Sequence, residues 1–415
     1  MNRRPSLLLR AAVASLLVAG ALATPGVAQK DPERRIVAIG DIHGAYQPFV
    51  ALLRQAGLLD DQGRWAGGTA TLVQTGDFTD RGAGIRPVMD LLMTLERQAE
   101  AAGGRVIVLL GNHETMNLTR LLQDVSPAAI ATFADDRSER RRVDAYEKYV
   151  RLIRSRRREL GRDPPGVLTE EAWMQAHPAG LVEYFEAFGP DGVYGRWLRE
   201  KQAVVGVDGT VFLHGGLNPL NPKYAKPRLN DVNKGVRDEI SLFDTSSRRL
   251  VARDVILPFF TFNETLEAAR ADLQAWLARE QASSPIGSPV LGADRDYTEM
   301  LIELLRVGTW SIVHPDGPLW FRGFALWKET EGPPLVDELQ KRYQAKRFVV
   351  GHTVPATHHI TPRFGNRVFL IDTGMLSNVY RDGQPSALEI VGDRITAVYL
   401  ESRVPLVDKA LASSR

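Results

Sequence analysis

Three apolar runs constrain what this chain can fold into, because each breaks off in glycine and a short polar motif. Residues 35–39 run into Gly40-Asp41-Ile42-His43-Gly44. Residues 69–74 run into Gly76-Asp77-Phe78-Thr79-Asp80-Arg81-Gly82. Residues 105–110 run into Gly111-Asn112-His113-Glu114. Short continuous apolar runs bounded by turn residues are the pattern of parallel strands buried on both faces. Between the first two, Phe49, Leu52, Leu53 and Ala56 follow helical spacing and Gly57 ends the segment; residues 85–102 form the next helical pattern. Asp41 and Asp77 are 36 positions apart, and Asp77 and Asn112 are 35 apart. This is the length of consecutive βαβ units. All three motifs therefore belong on βα loops at the carboxyl ends of adjacent parallel strands, the edge where open α/β sheets bind ligands.

Two later strands end similarly. Residues 204–214, broken by a turn at Asp208-Gly209, lead into His214-Gly215-Gly216, and residues 347–350 lead into Gly351-His352-Thr353. Further strands are predicted at 367–372, 387–391 and 395–400, the last two as a hairpin turning at Gly392-Asp393. Residues 117–202 read as helical and charged. Their arginine clusters at 137–142 and 154–158 are interspersed with acids such as Glu139, Asp144 and Glu147. That mixture fits a solvated helix face better than a nucleic-acid surface. Residues 220–300 are mixed, with one amphipathic helix near 264–280.

The 415 residues are best divided into a leader, 1–28, and one catalytic domain, 29–415. Within the domain, 34–116 form a first βαβαβ half, 117–202 a helical insertion, and 203–400 a second half with an insertion around 220–310. The leader has a positive start (Arg3, Arg4, Arg10), an apolar stretch and small residues near Ala23 and Ala28. This is the pattern of a secretory signal peptide, and it predicts a periplasmic or secreted protein with no stable membrane span once the leader is removed. An uncleaved anchor is the alternative. Removing the leader takes away three arginines and no acid. The formal charge of +2, from 52 basic and 50 acidic residues, then becomes 49 against 50. Nothing in that balance points to nucleic acid as a partner.

The strand-end motifs supply two Asp, one Asn and several His. The chain has no cysteine, so thiolate metal sites and thiol nucleophiles are excluded. Oxygen and imidazole donors suit Mn, Fe or Zn. Two ions about 3.5–4 Å apart can activate water and clamp a phosphoryl oxygen. Arg81 adds a planar cation suited to phosphate. Other chemistries lack parts. His113-Glu114 is followed by Asn117 where a zinc protease needs its second His, and there is no Gly-Lys pair for a P-loop. His177-Pro178 and His314-Pro315 read as loop residues. Trp310, Trp320 and Trp327 read as core, or as an aromatic wall for substrate.

Taken in order, Gly-Asp-X-His-Gly, Gly-Asp-X-X-Asp-Arg-Gly, Gly-Asn-His-Glu, His-Gly-Gly and Gly-His resemble the phosphoprotein phosphatase family of the calcineurin-like metallophosphoesterases. Leu72 to Asp77, Asn112 to Asn117 and Gly317 to Gly323 resemble its Shewanella-like branch. The resemblance covers roughly residues 34–400. It implies an α/β fold, a four-layer αββα sandwich of mixed sheets with helical insertions. It implies two divalent ions, manganese foremost and iron or zinc otherwise. Asp41 and His43 would hold the first ion, Asp77 would bridge, and Asn112, His214 and His352 would hold the second. His113, oriented by Asp80, would protonate the leaving group after in-line attack by metal-bound hydroxide. Arg81 would hold phosphate, with Arg322 as second candidate, and Glu114 would be a structural partner. The implied substrate is a phosphoprotein or small phosphomonoester. A dinucleoside polyphosphate or nucleotide hydrolase, and a phosphate-binding adaptor without turnover, are the alternatives.

Overall fold

The computed structural model describes residues 34–160, 167–283 and 293–408. The predicted leader lies outside the described residues. Eleven strands are present among the described residues: β1 (Arg35–Ile39), β2 (Thr71–Gln74), β3 (Arg105–Val108), β4 (Val204–Val207), β5 (Thr210–Leu213), β6 (Arg347–Val350), β7 (Thr361–Arg363), β8 (Val368–Leu370), β9 (Ser386–Val391), β10 (Arg394–Tyr399) and β11 (Arg403–Val407). They form a six-stranded sheet, β11-β10-β9-β1-β2-β3, and a five-stranded sheet, β4-β5-β6-β8-β7. β1, β2 and β3 are parallel, as are β5, β6 and β8, while the remaining pairings are antiparallel. Both sheets are therefore mixed.

Strand parity explains the layering, since successive side chains leave a strand on opposite faces. Ile36, Ala38, Val73 and Ile107 of the first sheet pack with Phe212, Val349 and Phe369 of the second, making a core between the sheets. Their neighbours Val37, Ile39, Leu72, Val106 and Val108 face a helical layer. Val211, Leu213, Phe348 and Val350 face another, with Phe324, Val336 and Leu339. The result is an αββα sandwich. Each such aliphatic or aromatic side chain contributes about 1.5–3 kcal/mol by leaving water.

The helices are α1 (Tyr46–Gln55), α2 (Ile85–Ala101), α3 (Asn112–Leu118), α4 (Pro127–Ala131), α5 (Ser138–Leu160), α6 (Glu170–Ala176), α7 (Leu181–Phe188), α8 (Val193–Arg199), α9 (Leu229–Ala252), α10 (Phe262–Ser283), α11 (Ala293–Leu305), α12 (Gly323–Leu326) and α13 (Gly332–Tyr343). α2 buries Ile85, Val88, Met89, Leu92 and Leu95 along one face, at the spacing its sequence shows. Residues 220–300 hold two helices beyond the one expected, α9 and α11. Helices α5–α8 and α9–α11 share one apolar core. Tyr149 meets Phe260 at 6.4 Å, and Arg156 pairs with Asp272. None of the described helices is long and apolar enough to cross a membrane.

Candidate metal centre

The five motifs converge where β1, β2 and β3 of one sheet and β5 and β6 of the other reach their carboxyl ends. Close backbone approach makes the convergence possible. A Cβ on Gly111 would lie 2.1 Å from Asp77 Oδ1, and one on Gly351 would lie 2.4 Å from Asp41 Oδ1. His43, Asp77, Asp80, Arg81 and His352 all adopt positive φ, between 46° and 66°. Non-glycine residues rarely do so, and such strain gathers where side chains must be aimed.

Glu114 ties the second loop to the third. Its carboxylate is buried and accepts from the Asp77 N–H (2.8 Å), Phe78 N–H (3.0 Å), Thr79 N–H (3.0 Å), Thr79 hydroxyl (2.8 Å) and Gly111 N–H (2.8 Å). Burial, and then Asp77, push its carboxyl above the ordinary value against the pull of these donors.

The histidines are oriented by backbone carbonyls. His43 Nδ1 lies 2.9 Å from Thr79 O, His214 Nδ1 lies 3.1 Å from Thr75 O, and His352 Nε2 lies 3.1 Å from Trp320 O. A carbonyl only accepts, so each of these nitrogens carries the proton and the other keeps a lone pair. Those lone pairs point at further acceptors. His214 Nε2 is 3.0 Å from Asn112 Oδ1, 3.1 Å from His352 Nδ1 and 3.1 Å from Asp77 Oδ2. His43 Nε2 is 3.8 Å from Asp41 Oδ2 and 3.7 Å from Asp77 Oδ2. Buried electron pairs facing one another call for cations between them, so the donor set fits divalent ions. Proximity defines two overlapping groups, His43-Asp77-His113 and Asp77-His214-His352.

The charges agree. Burial holds His43 down to about 3 and lowers His352 well below the imidazole value, which keeps both neutral, the form that ligates. Burial, Asp372 and Asp77 raise Asp41, and burial raises Asp372 to about 6. Burial opposes ionisation of Asp77, but the positive charge favoured on His113 helps hold Asp77 well below its ordinary value.

His113 is set apart. Its Nδ1 donates to Asp80 Oδ2 at 2.8 Å, and Asn117 Nδ2 donates to Asp80 Oδ1 at 2.7 Å. The Tyr184 hydroxyl donates to Asn117 Oδ1. Burial works against a charged ring, yet Asp77 and Asp80 raise His113 to about 9. Arg81 lies with Nη1 2.6 Å from His43 Nε2 and Nη2 3.1 Å from His113 Nε2, and donates to the Tyr380 hydroxyl. Arg322 donates to His352 O (2.7 Å) and to Thr353 Oγ1 (2.9 Å). Asp41, Asp77, Asn112, His113, both arginines and His352 line a cleft of about 290 Å³.

Every predicted site residue is thus brought to one place. Sequence reasoning missed Asp372, Asn117, Tyr184, Tyr380 and Asp124, the last of which also lines the cleft. Trp320 lines it too, whereas Trp310 is core and Trp327 packs on Phe321 and Phe324. His177 lies in the loop that follows α6, as expected, but it is buried and stacks on Trp173 with ring centroids 4.0 Å apart.

The family model for calcineurin-like phosphoesterases matches residues 34–253. The chain belongs to that family. This phosphoesterase is 26% identical over 370 residues to Shewanella-like protein phosphatase 1 of Plasmodium berghei, spanning 88% of the chain and 74% of the relative. It is 33% identical over 213 residues to Shewanella-like protein phosphatase 2 of Arabidopsis thaliana, spanning 49% of the chain and 51% of that relative. Among solved structures, the cold-active protein-tyrosine phosphatase of a psychrophilic Shewanella species superposes with a TM-score of 0.51 at 21% identity, covering 90% of this chain and 81% of that one. The family uses a dimetal centre, so the chain is a metal-dependent phosphoesterase.

Proposed function

We propose that the mature protein is an exported two-metal phosphomonoester hydrolase whose substrates are phosphoproteins. The observation that carries this reading is the pairing of a buried, cation-seeking donor cluster with a carboxylate-oriented imidazole on one cleft wall. A site built only to bind phosphate needs no proton donor. Similarity to protein phosphatases over most of the chain supports the choice of substrate, and the leader sequence supports export.

Asp41, His43 and Asp77 would hold one ion, and Asp77, Asn112, His214 and His352 the other. When bound, the ions supply Lewis-acid charge for the phosphoryl oxygens and acidify a water; manganese is the first choice, iron and zinc the alternatives. Arg81 and Arg322 lie on the cleft wall and would hold the remaining phosphoryl oxygens, with the Tyr380 hydroxyl steadying Arg81. His113 would carry a proton on Nε2 and pass it to the departing alkoxide or phenoxide. Asp80 keeps Nδ1 protonated and the ring aimed, and Asn117 and Tyr184 keep Asp80 in place.

The test is a substrate panel on processed, exported protein: phosphoserine, phosphothreonine and phosphotyrosine peptides against dinucleoside polyphosphates, before and after chelation and Mn²⁺ addition. Peptide turnover lost on chelation and restored by Mn²⁺ is expected. Preference for dinucleoside polyphosphates, or turnover indifferent to chelation, would overturn the reading.

A further inference from the structure

The two helical stretches that pack together border an open-mouthed cavity of about 590 Å³, larger than the cleft at the strand ends and within the range of about 300–1,000 Å³ typical of small-ligand sites. Phe185 and Val182 of α7 and Phe259 supply apolar walls, and Arg120, Arg141 and Lys148 supply cations, Arg141 being already paired with Asp135 and Glu183. Arg120 follows α3 at a φ of 63°. Its guanidinium is mostly buried and makes one long hydrogen bond, Nη1 to Phe260 O at 3.4 Å. Asp244, whose charge favours it, is engaged by Arg199 through two bonds of 2.7 and 2.8 Å. Burial, with Arg199 adding to it and Asp244 opposing, lowers Arg120 to about 10. The other guanidinium N–H groups have no acceptor within hydrogen-bond reach among the described residues and are open to the cavity, where an anion can take them. Acids also line the cavity, Asp144, Glu186 and Asp191. The charge at Arg120 is set instead by Asp244 and Arg199.

Arg120 also lines a narrower cavity that Asn117 shares. The Arg120 N–H donates to Asn117 O at 3.1 Å, and Tyr184, next to Phe185, donates to the Asn117 side chain that holds Asp80. We propose that the larger cavity is an effector site for a small amphipathic carboxylate. The anionic head sits on Arg120, the apolar body lies against Phe185 and Phe259, and occupancy reaches His113 through Asn117. A carboxylate matches the guanidinium fork, and an alkyl or aryl body matches the two phenyl rings. The relay to His113, unlike the binding, rests on the proposed function.

The test titrates the Mn²⁺-loaded enzyme with 8-anilinonaphthalene-1-sulfonate, an aromatic anion that fluoresces when buried, then competes it with octanoate or uncharged octanol. Octanoate should displace the dye and octanol should not. Arg120→Gln and the cavity-filling Val182→Trp should each weaken dye binding by roughly tenfold or more. Saturating octanoate should change the rate of aryl phosphate hydrolysis by roughly twofold or more in the wild type and leave the Val182→Trp rate unresponsive. Dye that does not bind, that both variants bind equally well, or that octanol displaces as readily as octanoate would overturn the site. A wild-type rate indifferent to octanoate would overturn the relay. Should the enzyme hydrolyse no phosphate ester, the proposed function fails while the dye measurements still decide the site, and the relay is then read from the His113 ring protons by NMR on protein loaded with diamagnetic Zn²⁺ in place of Mn²⁺.

Discussion

Glu114→Gln isolates the clamp between the second and third loops. The native carboxylate accepts five hydrogen bonds, three on Oε1 and two on Oε2. An amide retains one oxygen. If that oxygen keeps the three donors from Phe78 and Thr79, the new NH₂ group faces the N–H groups of Asp77 and Gly111, donor against donor. Two hydrogen bonds to a charged acceptor are lost, each worth about 1.5–3 kcal/mol, for a total of about 3–6 kcal/mol. Domains of this kind are stable by only about 5–15 kcal/mol, so the loss is a large share. It falls first on Asp77, whose φ of 57° is held by the Glu114 contact. Metal affinity should therefore drop along with stability. The assay is urea unfolding of the wild type and variant, with metal content measured after dialysis. A variant within about 1 kcal/mol of the wild type, retaining its full metal content, would refute the reasoning.

His113→Asn should lower kcat by about 10²–10⁴-fold for phosphate esters with poor leaving groups, and by much less for activated aryl esters, because only the former need a proton. An equal loss across leaving groups would count against the general-acid role. Gly351→Ala would place a Cβ 2.4 Å from Asp41 Oδ1, so metal analysis should find the variant folded by circular dichroism but depleted of metal. His177 is depressed chiefly by burial, and its Nε2 is buried without a hydrogen-bond partner. Its neutral form is favoured by folding, so its contribution is complete above the ordinary imidazole pKa of about 6.5 and is lost as pH falls through the depressed folded value. Between neutral pH and mild acid the wild type should lose more stability than His177→Phe, measured by urea unfolding at each pH.

β1, β2, β3 and β6 were legible because each is a continuous apolar run closed by a glycine. The β4–β5 turn was legible because Asp208 and Gly209 are the residues that tolerate their φ of 47° and 78°. β7 and β11 escaped notice as short edge strands that carry Pro362 and Pro405 and little apolar periodicity. α9 was hidden for a different reason. Its buried face includes Asn233, Asp244, Ser246 and Ser247. Asn233 satisfies the backbone of Ala203 and Val204, and Asp244 pairs with Arg199, so polar residues stand where a helical pattern would show apolar ones. In the site, Asp372 had a signal, since it follows an apolar run and precedes Gly374. Tyr380 had none. Its contact with Arg81 joins residues 299 positions apart, and no local pattern encodes that.

The His352 N–H donates to Asp41 Oδ1 at 3.0 Å across a separation of 311 residues. The first acid of the cluster therefore cannot reach its final setting until β6 has folded alongside β5. A nascent chain that has made only β1 to β3 carries Asp41, Asp77 and Asn112 without His214 or His352, and so without most of its imidazole donors. The full donor set is complete only once β5 and β6 are in place, so metal loading is expected in the compartment where the chain finishes folding. Oxygen and imidazole donors discriminate weakly among neighbouring divalent ions. The ions found in the native enzyme should then record the metal supply of that compartment as much as the preference of the site.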